Sequence, residues 1–293
     1  MRIVFIGCVQ FSLSMLEQLV EMNAEIVGVC TKEESAFNAD HVDLHSFCDL
    51  NKIPWVYSED INSKETSTWI HALNPSVIFC FGWSEIIKDE ILGIPPLGVI
   101  GFHPTQLPKN RGRHPLIWTL VLGLEKTAST FFFMDSGVDS GDIISQREIA
   151  ISRDDDAADL YNKVTTTAKL QILDFVPRLS TGKFERRMQN DEFVNLWRRR
   201  GVSDGIIDWR MSAETIHNLV RGLSKPYLGA HFYAKGGEIK VWKSAVWTES
   251  PANIEPGKVL LITESGPVVK CGVGAICLTH TEPDIKPVEG EYL

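Results

Sequence analysis

The chain has 293 residues, enough for one large domain plus a smaller one and enough to bury a core without staples. Hydrophobic residues make up 44% and charged residues 23%, a composition of soluble globular proteins. With 38 acidic against 29 basic residues the formal charge is −9, which argues against a nucleic-acid partner, since such proteins usually show a basic face.

From the N-terminus, the apolar run 2–7 ends in Gly7 and suits a strand buried on both faces. A helical period follows over 11–22, then a strand over 24–30, a helix over 41–51 and a short strand over 53–58. Ser63 and Thr66 form an imperfect capping box that opens a helix over 63–74. Strands at 76–82, 98–103 and 129–135 bracket a short helix, 84–95, that a proline stops. A long amphipathic helix spans 156–179. A polar stretch reads as a linker, 181–202, and a helix at 212–223 precedes short strands at 230–235, 238–247, 257–263, 267–272 and 274–280.

Strands alternating with helices predict an α/β fold: a Rossmann-like, mostly parallel sheet with helices on both faces over 1–180. The short Gly- and Pro-punctuated strands predict a small helix plus β-barrel-like C-terminal domain over 203–293. MRIVFIG runs straight into a strand pattern rather than a signal peptide, and no apolar run reaches the ~20 residues of a membrane helix. The six cysteines form no C-x-x-C pair and read as small buried hydrophobes in a reducing compartment. A cytoplasmic protein with no membrane partner is the expectation.

The sharpest stretch is GFHPTQLPKNRGRHP, 101–115. His103 closes a predicted strand and precedes a proline, which keeps it extended. Ligands of such sheets sit beyond strand carboxyl ends, and an imidazole there can move a proton near neutral pH. Lys109, Arg111 and Arg113 lie within five residues and read either as a solvated loop or as an anion clamp. DSGVDSGDII, 135–144, carries Asp135, Asp139 and Asp142, any of which can orient a histidine. It is no calcium loop, because Ser140 and Gln146 stand where glycine and glutamate are needed. His41 and His45 have helical i,i+4 spacing but no evident third ligand, so no metal is expected. The turn GCVQFS, with Gln10 and Ser12, offers a helix N-terminus to phosphate but lacks the G-x-G-x-x-G pattern. The cluster Arg186, Arg187, Arg198, Arg199 and Arg200 reads first as a solvated helix end or linker, and otherwise as a contact for an anionic ligand or a neighbouring subunit. With no G-x-S-x-G elbow and no cysteine in an electropositive setting, acid–base chemistry is favoured over covalent catalysis.

GFHPTQLPKNRG, followed about thirty residues on by GVDSGDI, resembles the signature of the folate-dependent formyltransferase family. SDGIIDWRMSAETIHNLVRGLSKPYLGAHFY, 203–233, is similar to the start of the C-terminal domain shared by methionyl-tRNA and sugar N-formyltransferases. The resemblance implies transfer of a formyl group from 10-formyltetrahydrofolate to a primary amine. It implies His103 as the proton-transfer residue, Asp139 as its partner, and Arg113 near the amine substrate. It also implies a folate pocket lined by the backbone of Glu85, Ile86 and Ile87 and by Asp135, Ser136, Gly137 and Val138.

One departure stands out: the family's asparagine two residues before the histidine is Gly101 here. Loss of one oxyanion donor typically costs about 3 kcal/mol, roughly a hundredfold in rate. A protonated His103, Asn110 or a water are the candidate substitutes.

For the amine, the acidic chain favours a nucleotide-linked amino sugar over methionyl-tRNA. The expected substrate is a dTDP-linked 4-amino-4,6-dideoxy sugar of surface-polysaccharide (O-antigen, lipopolysaccharide) synthesis, with the 3-amino isomers next. Gln10, Ser12, Lys109 and Arg111 are the candidate anion contacts, and Trp209 and Tyr227 either stack on the base or simply pack the small domain. A homodimer is implied by the resemblance to sugar-modifying members. The alternatives are methionyl-tRNA formyl transfer, a catalytically impaired folate- or nucleotide-sugar-binding relative marked by Gly101, and a hydrolase that releases formate.

Overall fold

The computed structural model describes residues 1–36, 38–234 and 236–293. In chain order the elements are β1 (Ile3–Ile6), α1 (Gln10–Glu21), β2 (Ile26–Thr31), α2 (His45–Asn51), β3 (Trp55–Tyr57), α3 (Lys64–Ala72), β4 (Val77–Cys80), α4 (Asp89–Leu92), β5 (Val99–His103), β6 (Arg111–Gly112) and α5 (Pro115–Val121). There follow β7 (Lys126–Phe133), β8 (Ile143–Ala150), α6 (Ala157–Ser180), β9 (Leu196–Trp197), α7 (Ala213–Gly222), β10 (Ala230–Ala234), β11 (Gly237–Trp247), β12 (Val259–Thr263), β13 (Gly266–Lys270) and β14 (Ala275–Glu282). The predicted strand 230–235 is β10 up to Ala234, and Lys235 lies outside the described residues.

Two compact units divide the chain. The first comprises Met1–Gly112, Thr127–Ile149 and Asn162–Trp197, and the second Arg113–Lys126, Ala150–Tyr161 and Arg198–Leu293. The stretch 181–197, which reads as a linker in the sequence, belongs to the first unit. There β9 pairs in parallel with β6, and Arg187 bridges Ile143.

The first unit is built on a seven-stranded sheet in the order β3-β2-β1-β4-β5-β7-β8. Strands β3, β2, β1, β4 and β5 are parallel, as their continuous apolar runs imply, and β7 is antiparallel to β5. One sheet face carries Val4, Ile6 and Ile78 against Ile70 of α3 and Ile91 of α4. The other carries a phenylalanine ladder: Phe11 of α1 stacks on Phe102 at 4.2 Å, Phe102 meets Phe131 at 4.9 Å, and Phe131 meets Phe175 of α6 at 5.0 Å. Full burial of one such ring contributes about 1.5–3 kcal/mol. Because strand side chains alternate, Phe102 commits β5 to that face and turns Gly101 and His103 to the opposite one.

Two predicted helices are shorter than their periodicity suggests. In 84–95 only Asp89–Leu92 is helical, since Ser84 donates to Asn38 and Glu85 pairs with Lys32 at 2.6 Å, holding the first half in an extended loop. In 41–51 the helix begins at His45. His41 is tied instead to the carbonyls of Cys8 and Glu33, at 2.9 and 3.0 Å, so the two histidines do not share a helix face. Ser63 caps α3 as expected, accepting from the Thr66 amide.

The second unit centres on a five-stranded antiparallel sheet, β10-β11-β14-β13-β12. Helix α7, capped by Ser212, buries Ile216, Leu219 and Val220 against Val241, Val269 and Ile276. Among the described residues no helix is long and apolar enough to cross a membrane. All six cysteines are free and buried; burial pushes the Cys8 thiol up to about 11 and those of Cys30, Cys48 and Cys271 to about 12.

Candidate active site

His103 ends β5 and is 5% exposed. Its Nε2 lies 2.8 Å from the Asn110 carbonyl oxygen, and its Nδ1 lies 3.6 Å from Asp139 Oδ2. A carbonyl can only accept, so Nε2 carries a hydrogen and Nδ1 is the nitrogen at which a proton can come and go. Asp139 therefore faces the nitrogen that is free to take a proton, where a carboxylate stabilises the ring when it is protonated.

The loop that delivers Asp139 takes an unexpected path. In the sequence, Asp135 stands at a strand carboxyl end like that of His103. Because β7 is antiparallel, Phe133 pairs with Ile100 and the Met134 amide donates to Val99, at the entry end of β5. The loop then turns back to place Asp139 beside His103. Asp135 braces this turn from inside, accepting from the Gly137 amide at 3.0 Å and the Ser140 hydroxyl at 2.6 Å. Gly141 is required there, because a Cβ would collide with the Phe133 carbonyl. Asp139 itself sits at φ 50°, a left-handed conformation that Asp and Asn tolerate better than most residues.

Three further groups hold the pair in place; only Gly112 lies in a stretch that the sequence singles out. The Gly112 amide donates to Asp139 Oδ2 at 2.9 Å. Gly112 has φ 109°, and a Cβ would strike the Trp197 carbonyl, so glycine alone fits. Gln189 Nε2 donates to the carbonyls of Asp139 and Gly141, both at 2.8 Å, while its Oε1 accepts from Arg111. Asn195 bonds Asn110 twice, amide to side chain at 2.8 Å and side chain to side chain at 3.0 Å. Gln189 reaches Asp139 and Gly141 across 50 and 48 residues of chain and Arg111 across 78, and Asn195 reaches Asn110 across 85.

Gly101 leaves a gap in side-chain chemistry that Met134 fills. A Cβ on Gly101 would lie 2.9 Å from Met134 Cγ and 3.1 Å from Phe132 Cζ. The position that holds an amide in the family motif is closed by apolar atoms here.

The remaining expected residues fall in several places. Arg111 is 7% exposed and engaged by Gln189 and Asp191, so it braces the site rather than meeting solvent. Lys109 is exposed, 5.8 Å from the Phe193 ring centre. Glu85 is held by Lys32 and by the Ile61 amide. Ile87 is buried, while Ile86 is 66% and Val138 50% exposed; Ser136 and Gly137 are also exposed. Gln10 is exposed at the start of α1, but Ser12 is fully buried, accepting from the Val9 amide and donating to the Phe81 carbonyl. Arg113, Trp209 and Tyr227 belong to the second unit. Both aromatics pack against that unit's core, Trp209 edge-on to Phe232 at 5.2 Å. Among the described residues no group of three metal-ligating side chains assembles.

Fold and site together define an α/β protein whose mostly parallel sheet presents a buried histidine with a carboxylate near the nitrogen open to protonation, an arrangement able to perform general acid–base chemistry. The Formyl transferase family profile matches residues 1–176, and that of the Formyl transferase C-terminal domain matches 201–292. The chain belongs to the folate-dependent formyltransferase family. It is 31% identical over 288 residues to the methionyl-tRNA formyltransferase of Acetivibrio thermocellus, covering 97% of this chain and 92% of that one. It is 35% identical over 210 residues to the bifunctional polymyxin resistance protein ArnA of Wigglesworthia glossinidia brevipalpis, 72% of this chain and 32% of that one. Its fold matches an N-formyltransferase from Helicobacter canadensis, solved with folinic acid and dTDP-3-aminofucose, at a TM-score of 0.73 and 18% identity over 94% of this chain and 98% of that one.

Proposed function

We propose that the protein transfers the formyl group of 10-formyltetrahydrofolate to the amino group of a nucleotide-linked amino sugar, a dTDP-4-amino-4,6-dideoxy sugar in the first instance. The observation that carries the chemistry is the His103 Nδ1–Asp139 Oδ2 approach at 3.6 Å. His103 Nδ1 takes the proton that the amine loses as the new C–N bond forms. It returns that proton to the donor's nitrogen as the old C–N bond breaks, so the pair ends as it began.

The chain's own groups suit a reduced folate. Trp83 Nε1 is a buried donor with no partner among the described residues, and Ile86 and Val138 offer exposed apolar surface. Glu85, Ile86 and Ile87, with Asp135 to Val138, would hold the ring, and the folate supplies the activated formyl carbon. The Ile86 carbonyl already accepts from Asn62 at 2.9 Å, which fixes the segment in place.

A second reading has direct support: relatives at 31% and 32% identity are named methionyl-tRNA formyltransferases. The net charge of −9 favours the sugar. A panel of acceptors with 10-formyltetrahydrofolate, read by mass spectrometry, decides: dTDP-, UDP- and GDP-linked amino sugars and methionyl-tRNA. Formylation of a sugar nucleotide supports the proposal, and formylation of methionyl-tRNA alone replaces its acceptor.

A further inference from the structure

In a chain of net charge −9, a cationic group gathers around Trp118 in the second unit. Trp118, on α5, has the guanidinium of Arg200 4.5 Å and that of Arg198 5.3 Å from its ring centre, and its Nε1 donates to the Arg198 carbonyl. Arg198 is neutralised: both its terminal nitrogens bond the Asp204 carboxylate. Arg200 is not neutralised in this way. It is 9% exposed; among the described residues its Nη2 meets the Asp204 backbone carbonyl and its buried Nε has no hydrogen-bond partner.

Burying a guanidinium with an orphaned donor is costly unless a partner arrives. The surroundings favour an anionic one. His114 sits at φ 54°, and its Nδ1 accepts from the Arg200 amide at 3.3 Å, which leaves Nε2 as a donor. Burial and the neighbouring Arg199, Arg113 and Arg200 charges hold the His114 pKa below its ordinary value. Arg113 and Arg199 are exposed. Arg113 is also the residue directly after Gly112, whose amide holds Asp139.

We propose that Arg200, with His114, Arg113 and Arg199, binds the diphosphate of the nucleotide-linked substrate; this rests on the sugar-nucleotide reading above. The buried Arg200 fork would meet the phosphate oxygens, and Trp118 would hold that fork flat. The GCVQFS turn is then not the principal anion site, in keeping with the internal use of the Ser12 hydroxyl.

The test is calorimetric titration of the full chain, without folate, with inorganic pyrophosphate and with dTDP. Arg200→Met keeps the apolar stem and removes the fork. Arg199→Glu is an exposed change that keeps the claim testable if Arg200→Met misfolds. Both are checked by thermal melting. The expected result is a loss of dTDP and pyrophosphate affinity of about tenfold or more in each folded variant. Unchanged affinity in the folded variants overturns the site, as does binding of tRNA, weakened by both changes, in a protein that binds neither pyrophosphate nor dTDP. Formylation separates the two claims. Sugar-nucleotide formylation with KM unchanged in both variants removes the site and leaves the function. Arginine-dependent dTDP binding without formylation of any sugar nucleotide supports the site and removes the function.

Discussion

Asp139 Oδ2 lies 3.6 Å from His103 Nδ1 and accepts the Gly112 amide at 2.9 Å, so one carboxylate is fixed by backbone while facing the ring. Replacement of Asp139 by Asn keeps an oxygen for Gly112 and tolerates φ 50°. The expected outcome is a fall in kcat of about 10²–10⁴ with stability within about 1 kcal/mol of the parent. Steady-state kinetics and urea melts on Asp139→Asn check both halves.

Gln189 acts on the same pair at one remove, through the Asp139 and Gly141 carbonyls and through buried Arg111. Gln189→Ala leaves Arg111 without that acceptor and frees the loop. A loss of about 1–3 kcal/mol in stability is expected, with kcat falling more than KM rises. Gln189→Glu retains the Arg111 partner but sets a carboxylate oxygen against the Asp139 and Gly141 carbonyls, so it is expected to recover little of the stability or the rate.

Gly101 is packed against Met134 and Phe132, so restoring the family's amide is not a simple gain. Gly101→Asn alone is expected to destabilise by about 1–3 kcal/mol through overpacking and to leave kcat unimproved. Gly101→Asn with Met134→Ala removes the Met134 contacts and leaves only Phe132 Cζ, 3.1 Å from the added Cβ, to give way. If a side-chain donor stabilises the oxyanion, the double variant exceeds the parent in kcat; equal rates would show that the parent supplies the donor by other means.

The Asp204 carboxyl is held well below the usual range, first by its Arg198 hydrogen bond and then by the Gly201 amide. A depressed folded pKa stabilises fully above the unfolded value of about 3.9 and loses that contribution as pH falls through the folded value. The stability gap between the parent and Asp204→Asn is therefore expected to be constant from pH 5 to 7 and to shrink below about pH 4. Urea melts at several pH values measure it, and a gap that widens on acidification would contradict the assignment.

Much of the site is legible in the sequence because it depends on local signals. The apolar run of β5 and the proline after His103 mark the strand end, whereas spacing leaves Asp135, Asp139 and Asp142 open and only the family resemblance singles out Asp139. Strand direction is not local: the run 129–135 is equally apolar in either sense, and only pairing shows that β7 runs against β5. The same holds for 181–197. Its polar composition reads as a linker, yet Gln189 and Asn195 spend their amides on residues of the site. Tertiary bonds likewise cut short the helix at 84–95, where Glu85 answers Lys32 rather than its own helix.

The central claim is that a chain with Gly101 still transfers formyl groups through His103. The most direct test incubates the parent and His103→Asn with 10-formyltetrahydrofolate and dTDP-4-amino-4,6-dideoxyglucose and weighs the sugar nucleotide by mass spectrometry. The account predicts a gain of one formyl group with the parent and none with His103→Asn. No folate-dependent formylation by the parent, or formylation undiminished in His103→Asn, would contradict it.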